Sequence, residues 1–235
     1  MKKCKDFLIK AIGRQPIKAE FMKIDLGDDR LSCRLQRLAE LLGNDFQSNL
    51  PMACGDWKEI KAAYHFFAND HVDPEDIQNT HFKNTIARVD DLKACPILLV
   101  QDSTSFNFQY HFATPNLGSL GSTHGVHHAM GIHSHTGMLY TEHGTPLDLL
   151  FQKFWMRRNR RGQAEIRASQ KRRKLSVKRK ESFRWVEAIK IVESIQKSLG
   201  HHIIMIQDRE GAINEAFRFA INSKVGFITR EHRPL

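Results

Sequence analysis

Two aspartates sit in the same local context. Leu99-Val100-Gln101-Asp102 and Met205-Ile206-Gln207-Asp208 each read apolar, apolar, Gln, Asp. In a parallel sheet, polar residues at the carboxyl ends of central strands face the crevice where active sites form. On neighbouring strands the two carboxylates would converge, and at neutral pH they would repel unless a cation were shared. Oxygen donors without a cysteine or ordered histidine set favour Mg²⁺ or Mn²⁺. Two such ions, about 3.5–4 Å apart, are the usual apparatus for in-line displacement at phosphorus. An aspartate after a strand also caps turns, and the pattern alone leaves both readings open.

A second group of residues is basic. Arg157, Arg158, Arg160 and Arg161, then Lys171-Arg172-Arg173-Lys174 and Lys178-Arg179-Lys180, concentrate positive charge in one stretch. Such a stretch neutralises phosphates and releases counterions, or it is a solvated loop of like charges. The whole chain of 235 residues carries a formal net charge of +10, which makes polyanions the first partners to consider. Histidines crowd residues 111–143. His133 and His135 share one strand face, with His127-His128 nearby, a pattern that raises zinc but equally suits surface or core histidines. Trp57, Trp155 and Trp185 fall on apolar faces and read as core.

The elements that position these residues follow from periodicity. Leu31, Leu35, Leu38, Leu41 and Leu42 mark a helix over about 25–48. Trp57, Ile60, Ala63, Tyr64 and Phe67 mark another over 56–69, and Asp73-Pro74-Glu75 opens a third. From Pro96 the pattern changes. Ile97–Val100 is a buried strand, Met130–Tyr140 and Leu147–Trp155 form a hairpin, and Ser182–Leu199 is an amphipathic helix. A strand at 203–206, a short helix and a last strand at 225–229 complete an α/β chain with a mixed sheet.

Bulk properties exclude some classes. No apolar run approaches the roughly 18 residues needed to span a bilayer, so no membrane partner is expected. The basic start, MKKCKDFLIKAIG, reads as a helix start and not a signal peptide. Cys4, Cys33, Cys54 and Cys95 form no CxxC pair and are expected as reduced thiols in the cytoplasm.

Several segments in this order resemble IS-four-family DDE transposases of the Tn-five type. They are Leu26-Gly27-Asp28-Asp29-Arg30, Arg34–Ala39, Pro51–Phe67, Asp102-Ser103-Thr104-Ser105, Leu117–Gly121, Trp155-Met156-Arg157, Glu181-Ser182-Phe183-Arg184-Trp185 and Asp208-Arg209-Glu210. The resemblance spans residues 20–233 or so. It implies a helical domain at 1–75 that binds transposon ends, and at 76–235 part of a ribonuclease-H-like catalytic core. Asp102 and Asp208 match the first two catalytic, metal-binding carboxylates. The family's third is a Glu on a later helix within a Tyr-Arg-Glu-Lys signature. That helix has no match before Leu235, and neither Glu210 nor Glu231 has its context, so the chain reads as truncated and inactive alone. The implied cofactor is Mg²⁺ or Mn²⁺, two ions in the complete enzyme. The implied partners are double-stranded DNA, as transposon ends and target, and a second copy in a homodimer, at a bacterial nucleoid. Candidate DNA contacts are Arg30, Lys61, His65, Arg157, Arg158, Arg160, Arg161 and Arg230. His65 departs from the family, which usually has Arg there. Two other readings stay open: a non-catalytic DNA-binding remnant or regulator of transposition, and a metal-dependent nuclease unrelated to it.

Overall fold

The computed structural model describes residues 17–92, 96–111, 113–120, 129–157 and 180–230. The basic start, His127-His128, Arg158, Arg160, Arg161, Lys171–Lys174, Lys178-Arg179 and Glu231 lie outside these residues. The chain divides into two compact units, Met1–Asp91 and Leu92–Leu235.

The first unit is helical: α1 (Ile17–Glu20), α2 (Asp29–Asn44), α3 (Leu50–Cys54), α4 (Trp57–Phe67) and α5 (Pro74–Asp90). Short polar residues start four of these helices. The side chains of Asp28, Asn49, Asp56 and Asp73 accept the amide hydrogens of Arg30, Met52, Glu59 and Glu75, which would otherwise lack partners. Leu35 and Leu38 of α2 pack with Cys54, Ala63 and Phe66, and Ile24 and Leu26 close the same core.

The resemblance implied a boundary near residue 75, whereas periodicity put the change of pattern at Pro96; the compact unit ends at Asp91 and includes α5. Glu20 anchors it: its carboxylate accepts from Arg88 Nη1 at 2.8 Å and lies 2.8 Å from His81 Nδ1, while its carbonyl accepts from Asn84 Nδ2 at 2.7 Å. Burial alone would raise the Glu20 pKa. Hydrogen bonds from His81 and Arg88, and the charge of both, reverse that effect and hold it at about 2.

The second unit holds β1 (Ile97–Asn107), β2 (Gly118–Ser119), β3 (Met130–Thr141), β4 (Pro146–Trp155), α6 (Phe183–Leu199), β5 (Ile203–Gln207), α7 (Asn214–Ser223) and β6 (Gly226–Thr229). Its sheet runs β2-β3-β1-β5-β6, with β4 also paired to β3. β3 lies antiparallel to β1 and β4, whereas β1, β5 and β6 are parallel. Parallel neighbours need crossovers, and α6 and α7 occupy the segments before and after β5. α6 buries Trp185, Val186, Ile189 and Val192 on the face that carries Leu99, Leu139 and Met205. Phe217 of α7 meets Phe227 edge-on, on that same face. The opposite face leaves Val100, Phe106, Phe154 and Ile228 exposed. Among the described residues no helix is long and apolar enough to cross a membrane.

Two expectations about aromatics need correction. Trp185 is fully buried, but Trp57 is 75% exposed and Trp155 is only partly covered. On α4 the inward residues are Ala63 and Phe66, so Trp57, Tyr64 and Phe67 face solvent. Of the predicted stripe Ile60 and Ala63 do face the core; the helix has apolar residues on more than one side, and periodicity joined inward and outward ones.

Candidate nucleic-acid interface and carboxylate pair

Parallel pairing runs from Ile97↔Ile203 to Gln101↔Gln207. Asp102 and Asp208 are the next residue on each strand, so they stand side by side where the parallel pairing ends, with backbones about 4.8 Å apart; Asp208 follows β5 directly, whereas β1 runs on past Asp102 to Asn107, further than the strand expected from the Ile97–Val100 run. Alternation gives both the same face. Leu99, Gln101, Met205 and Gln207 are buried, whereas Val100, Asp102 and Asp208 are exposed. Asp102 Oδ1 accepts the amide hydrogen of Ser103 at 2.7 Å, and Asp208 Oδ1 that of Glu210 at 2.9 Å. The turn-capping reading is thus realised for Asp208, at the start of the short 3₁₀ turn Arg209–Gly211. Arg230 follows β6 directly, and its amide donates to the Gln207 carbonyl at 3.4 Å, which brings it beside Asp208.

Beneath the aspartates lies a polar layer that sequence reasoning missed. Arg184 Nε donates to Ser103 Oγ at 3.1 Å; Ser103 Oγ lies 3.0 Å from His135 Nδ1, and His135 Nε2 lies 3.2 Å from Gln101 Oε1. Gln101 Nε2 donates to Gln207 Oε1 at 2.6 Å. The Arg184 guanidinium stands 5.1 Å from the Trp155 ring centre and 5.5 Å from that of Trp185, and it pairs with Glu210 at 3.0 Å. Burial, with Arg184 nearby, pushes the His135 pKa down to about 4. The signal for part of this layer was present: Gln precedes Asp in both strand-end motifs.

His133 and His135 do share a face, but each Nδ1 meets a serine hydroxyl, Ser105 and Ser103 respectively. Among the described residues no three His, Cys, Asp or Glu side chains gather as a metal set. The donors that fit a hard cation are the paired Asp102 and Asp208, since Mg²⁺ keeps several waters and takes one or two carboxylates.

Arg157 is committed within the protein. Its guanidinium pairs with Glu181 at 2.7 Å and reaches the Leu120 carbonyl. Burial would raise the Glu181 pKa, but the hydrogen bonds and charge of Arg157 lower it overall. Gly118 is required close by, because a Cβ there would lie 2.4 Å from the Arg157 carbonyl oxygen.

In the helical unit Arg30 and His65, but not Lys61, line an open cleft of about 800 Å³, together with Arg34, Asn69 and His71 among others. Arg30 is almost fully exposed, and Asp28 orients it at 2.8 Å. Next to the cleft, α4 turns a stripe outward: Trp57, Lys61 and Tyr64 at helical spacing, flanked by Lys58 and His65. Aromatic and cationic side chains left in solvent on one helix face suit a polyanion with apolar edges.

The chain thus joins a helical unit with an exposed basic and aromatic helix face to an α/β unit with two aligned aspartates. Residues 14–72 match the family model described as transposase DNA-binding. The matched segment lies within the helical unit, and it supports a transposase role in which this unit binds DNA.

Proposed function

We propose that this protein is a DDE transposase of the IS-four type, whose helical unit binds transposon ends and whose sheet unit is part of a ribonuclease-H-like core. The register that sets Asp102 beside Asp208 carries this reading, together with the family match at residues 14–72. The strand order, an antiparallel β4-β3-β1 meander continued by parallel β5 and β6, supports the core assignment. The helical unit grips duplex DNA through Arg30, Lys58, Lys61 and His65, with Trp57 and Tyr64 packing against sugar or base edges. Arg230 adds a positive charge for DNA beside the carboxylates. Asp102 and Asp208 would hold Mg²⁺ or Mn²⁺ on the open face of the sheet. Two such ions, when bound, polarise an attacking oxygen and stabilise the leaving oxygen at a phosphodiester. In an enzyme of this type a third carboxylate joins the pair, and two copies act together on paired ends.

One observation favours a second reading. Each aspartate already accepts a backbone amide, as a purely structural cap would, and a non-catalytic DNA-binding regulator needs no more. Binding of Mn²⁺, followed by its electron paramagnetic resonance signal, separates the two. A transposase core binds Mn²⁺ and loses it in Asp102→Asn and in Asp208→Asn. A regulator binds DNA equally well and shows no Mn²⁺ binding that depends on these residues.

A further inference from the structure

The polar layer beneath the aspartates has a direction, set at one end. A guanidinium only donates, so Ser103 Oγ accepts from Arg184 and keeps one proton and one lone pair for its contact with His135 Nδ1. A neutral imidazole has one N–H, here on Nε2, and it donates to Gln101 Oε1. Gln101 Nε2 donates to Gln207 Oε1, which leaves Gln101 Oε1 as the acceptor, puts the imidazole proton on Nε2 and makes Nδ1 the acceptor of the Ser103 hydroxyl. Each link fixes the next, across α6, β1, β3 and β5. Gln101, His135 and Gln207 are nearly inaccessible to solvent, and the run ends at Gln207 Nε2, a buried atom with no hydrogen-bond partner.

Stability does not account for such an arrangement. A buried polar pair contributes only about 1 kcal/mol net, and an apolar pair of similar shape serves as well. What polar contacts add is a unique geometry, because they tolerate only one alignment. The two glutamines immediately precede Asp102 and Asp208, on the opposite face of the same two strands. Pinning one glutamine to the other therefore pins the lateral spacing of the backbone that presents both carboxylates.

We propose that Arg184, Ser103, His135, Gln101 and Gln207 act as a positioning chain that sets the separation of Asp102 and Asp208 for a shared divalent cation. This rests on the reading of the two aspartates as metal ligands. None of the five touches the cation; they act through the strands, as outer-shell partners do elsewhere.

The test is Mn²⁺ titration of the whole chain by electron paramagnetic resonance, with circular dichroism on each variant. Ser103→Ala removes the acceptor of Arg184 and the partner of His135 while keeping the backbone amide that Asp102 accepts. Gln101→Leu/Gln207→Leu replaces both amides by apolar groups. Each is expected to weaken Mn²⁺ binding about tenfold with the dichroism spectrum unchanged, and Ser103→Thr, which restores a hydroxyl, is expected to recover affinity to within about twofold. Wild-type affinity in a folded Ser103→Ala chain overturns the proposal, and so does failure of Ser103→Thr to recover it. If the double variant does not fold, the Ser103 pair decides alone. Wild-type protein that binds no Mn²⁺, or whose binding is unchanged in Asp102→Asn, removes the metal reading and this proposal together. Binding that depends on Asp102 but ignores Ser103 removes the positioning chain only.

Discussion

Gln101 donates its side-chain amide to Gln207 across 2.6 Å, one residue before Asp102 on β1 and one before Asp208 on β5. Buried amides on one face thus report where the exposed carboxylates stand on the other. Gly211 backs this contact, since a Cβ at that position would lie 2.0 Å from Gln207 Nε2. Gly211→Ala is expected to displace the Gln207 amide and weaken Mn²⁺ binding in the same direction as Ser103→Ala. The far end of a side chain has to move, not backbone, so the stability cost should stay within about 1–3 kcal/mol. Mn²⁺ titration beside a thermal melt checks both. Unchanged metal affinity would show that the amide has other room.

Glu20 makes the helical unit sensitive to acid. Its pKa is about 2 in the folded chain against an ordinary 4.5. A lowered folded pKa gives stability that is fully present above about 4.5 and is lost as pH falls toward 2. At neutral pH the contribution is of order 2–3 kcal/mol, discounted because the side chain is 19% exposed. Glu20→Gln should lower stability at pH 7 and flatten its decline between pH 5 and 2, as measured by denaturant unfolding monitored in the helical signal. A decline as steep as that of the parent chain would place the acid sensitivity elsewhere.

The three tryptophans should respond differently. Trp185 is fully buried, so Trp185→Ala is expected to cost about 3–5 kcal/mol. Trp57 is 75% exposed, and Trp57→Ala should change stability by less than about 0.5 kcal/mol while weakening DNA binding. A large loss of stability at Trp57 would return it to the core that periodicity assigned.

That assignment shows what the sequence conveys and what it hides. Where one stripe of a helix is apolar, as with Leu35 and Leu38 of α2, the buried face follows from spacing. Where apolar residues surround the helix, as on α4, spacing cannot choose between a core stripe and a solvent-facing one. The strands at 97, 130, 146 and 203 were legible because their apolar runs are continuous or alternate cleanly. Short α1, α3 and β2 were not, because so few residues carry no period. The repeated Gln-Asp motif made the alignment of Asp102 with Asp208 legible, but not that β1 continues past Asp102 to Asn107. The layer of Ser103, His135 and Arg184 was not, because its members come from three elements and meet only through the register of β1 with β3. The helical unit extends past residue 75 for a similar reason: the ion pair between Glu20 and Arg88 joins residues 68 positions apart.

Binding of duplex DNA is the most direct test of the account. Fluorescence anisotropy of a labelled duplex, titrated with the whole chain at a series of salt concentrations, gives affinity and salt slope together. Affinity should fall steeply with salt, since each neutralised phosphate contributes about −0.9 to the slope of log K against log salt. Arg30→Ala and Lys61→Ala should each weaken binding and flatten that slope by about one phosphate, whereas Asp102→Ala should leave binding intact or tighten it by removing negative charge. Absence of binding at low salt would contradict the account, as would a slope indifferent to both Arg30 and Lys61.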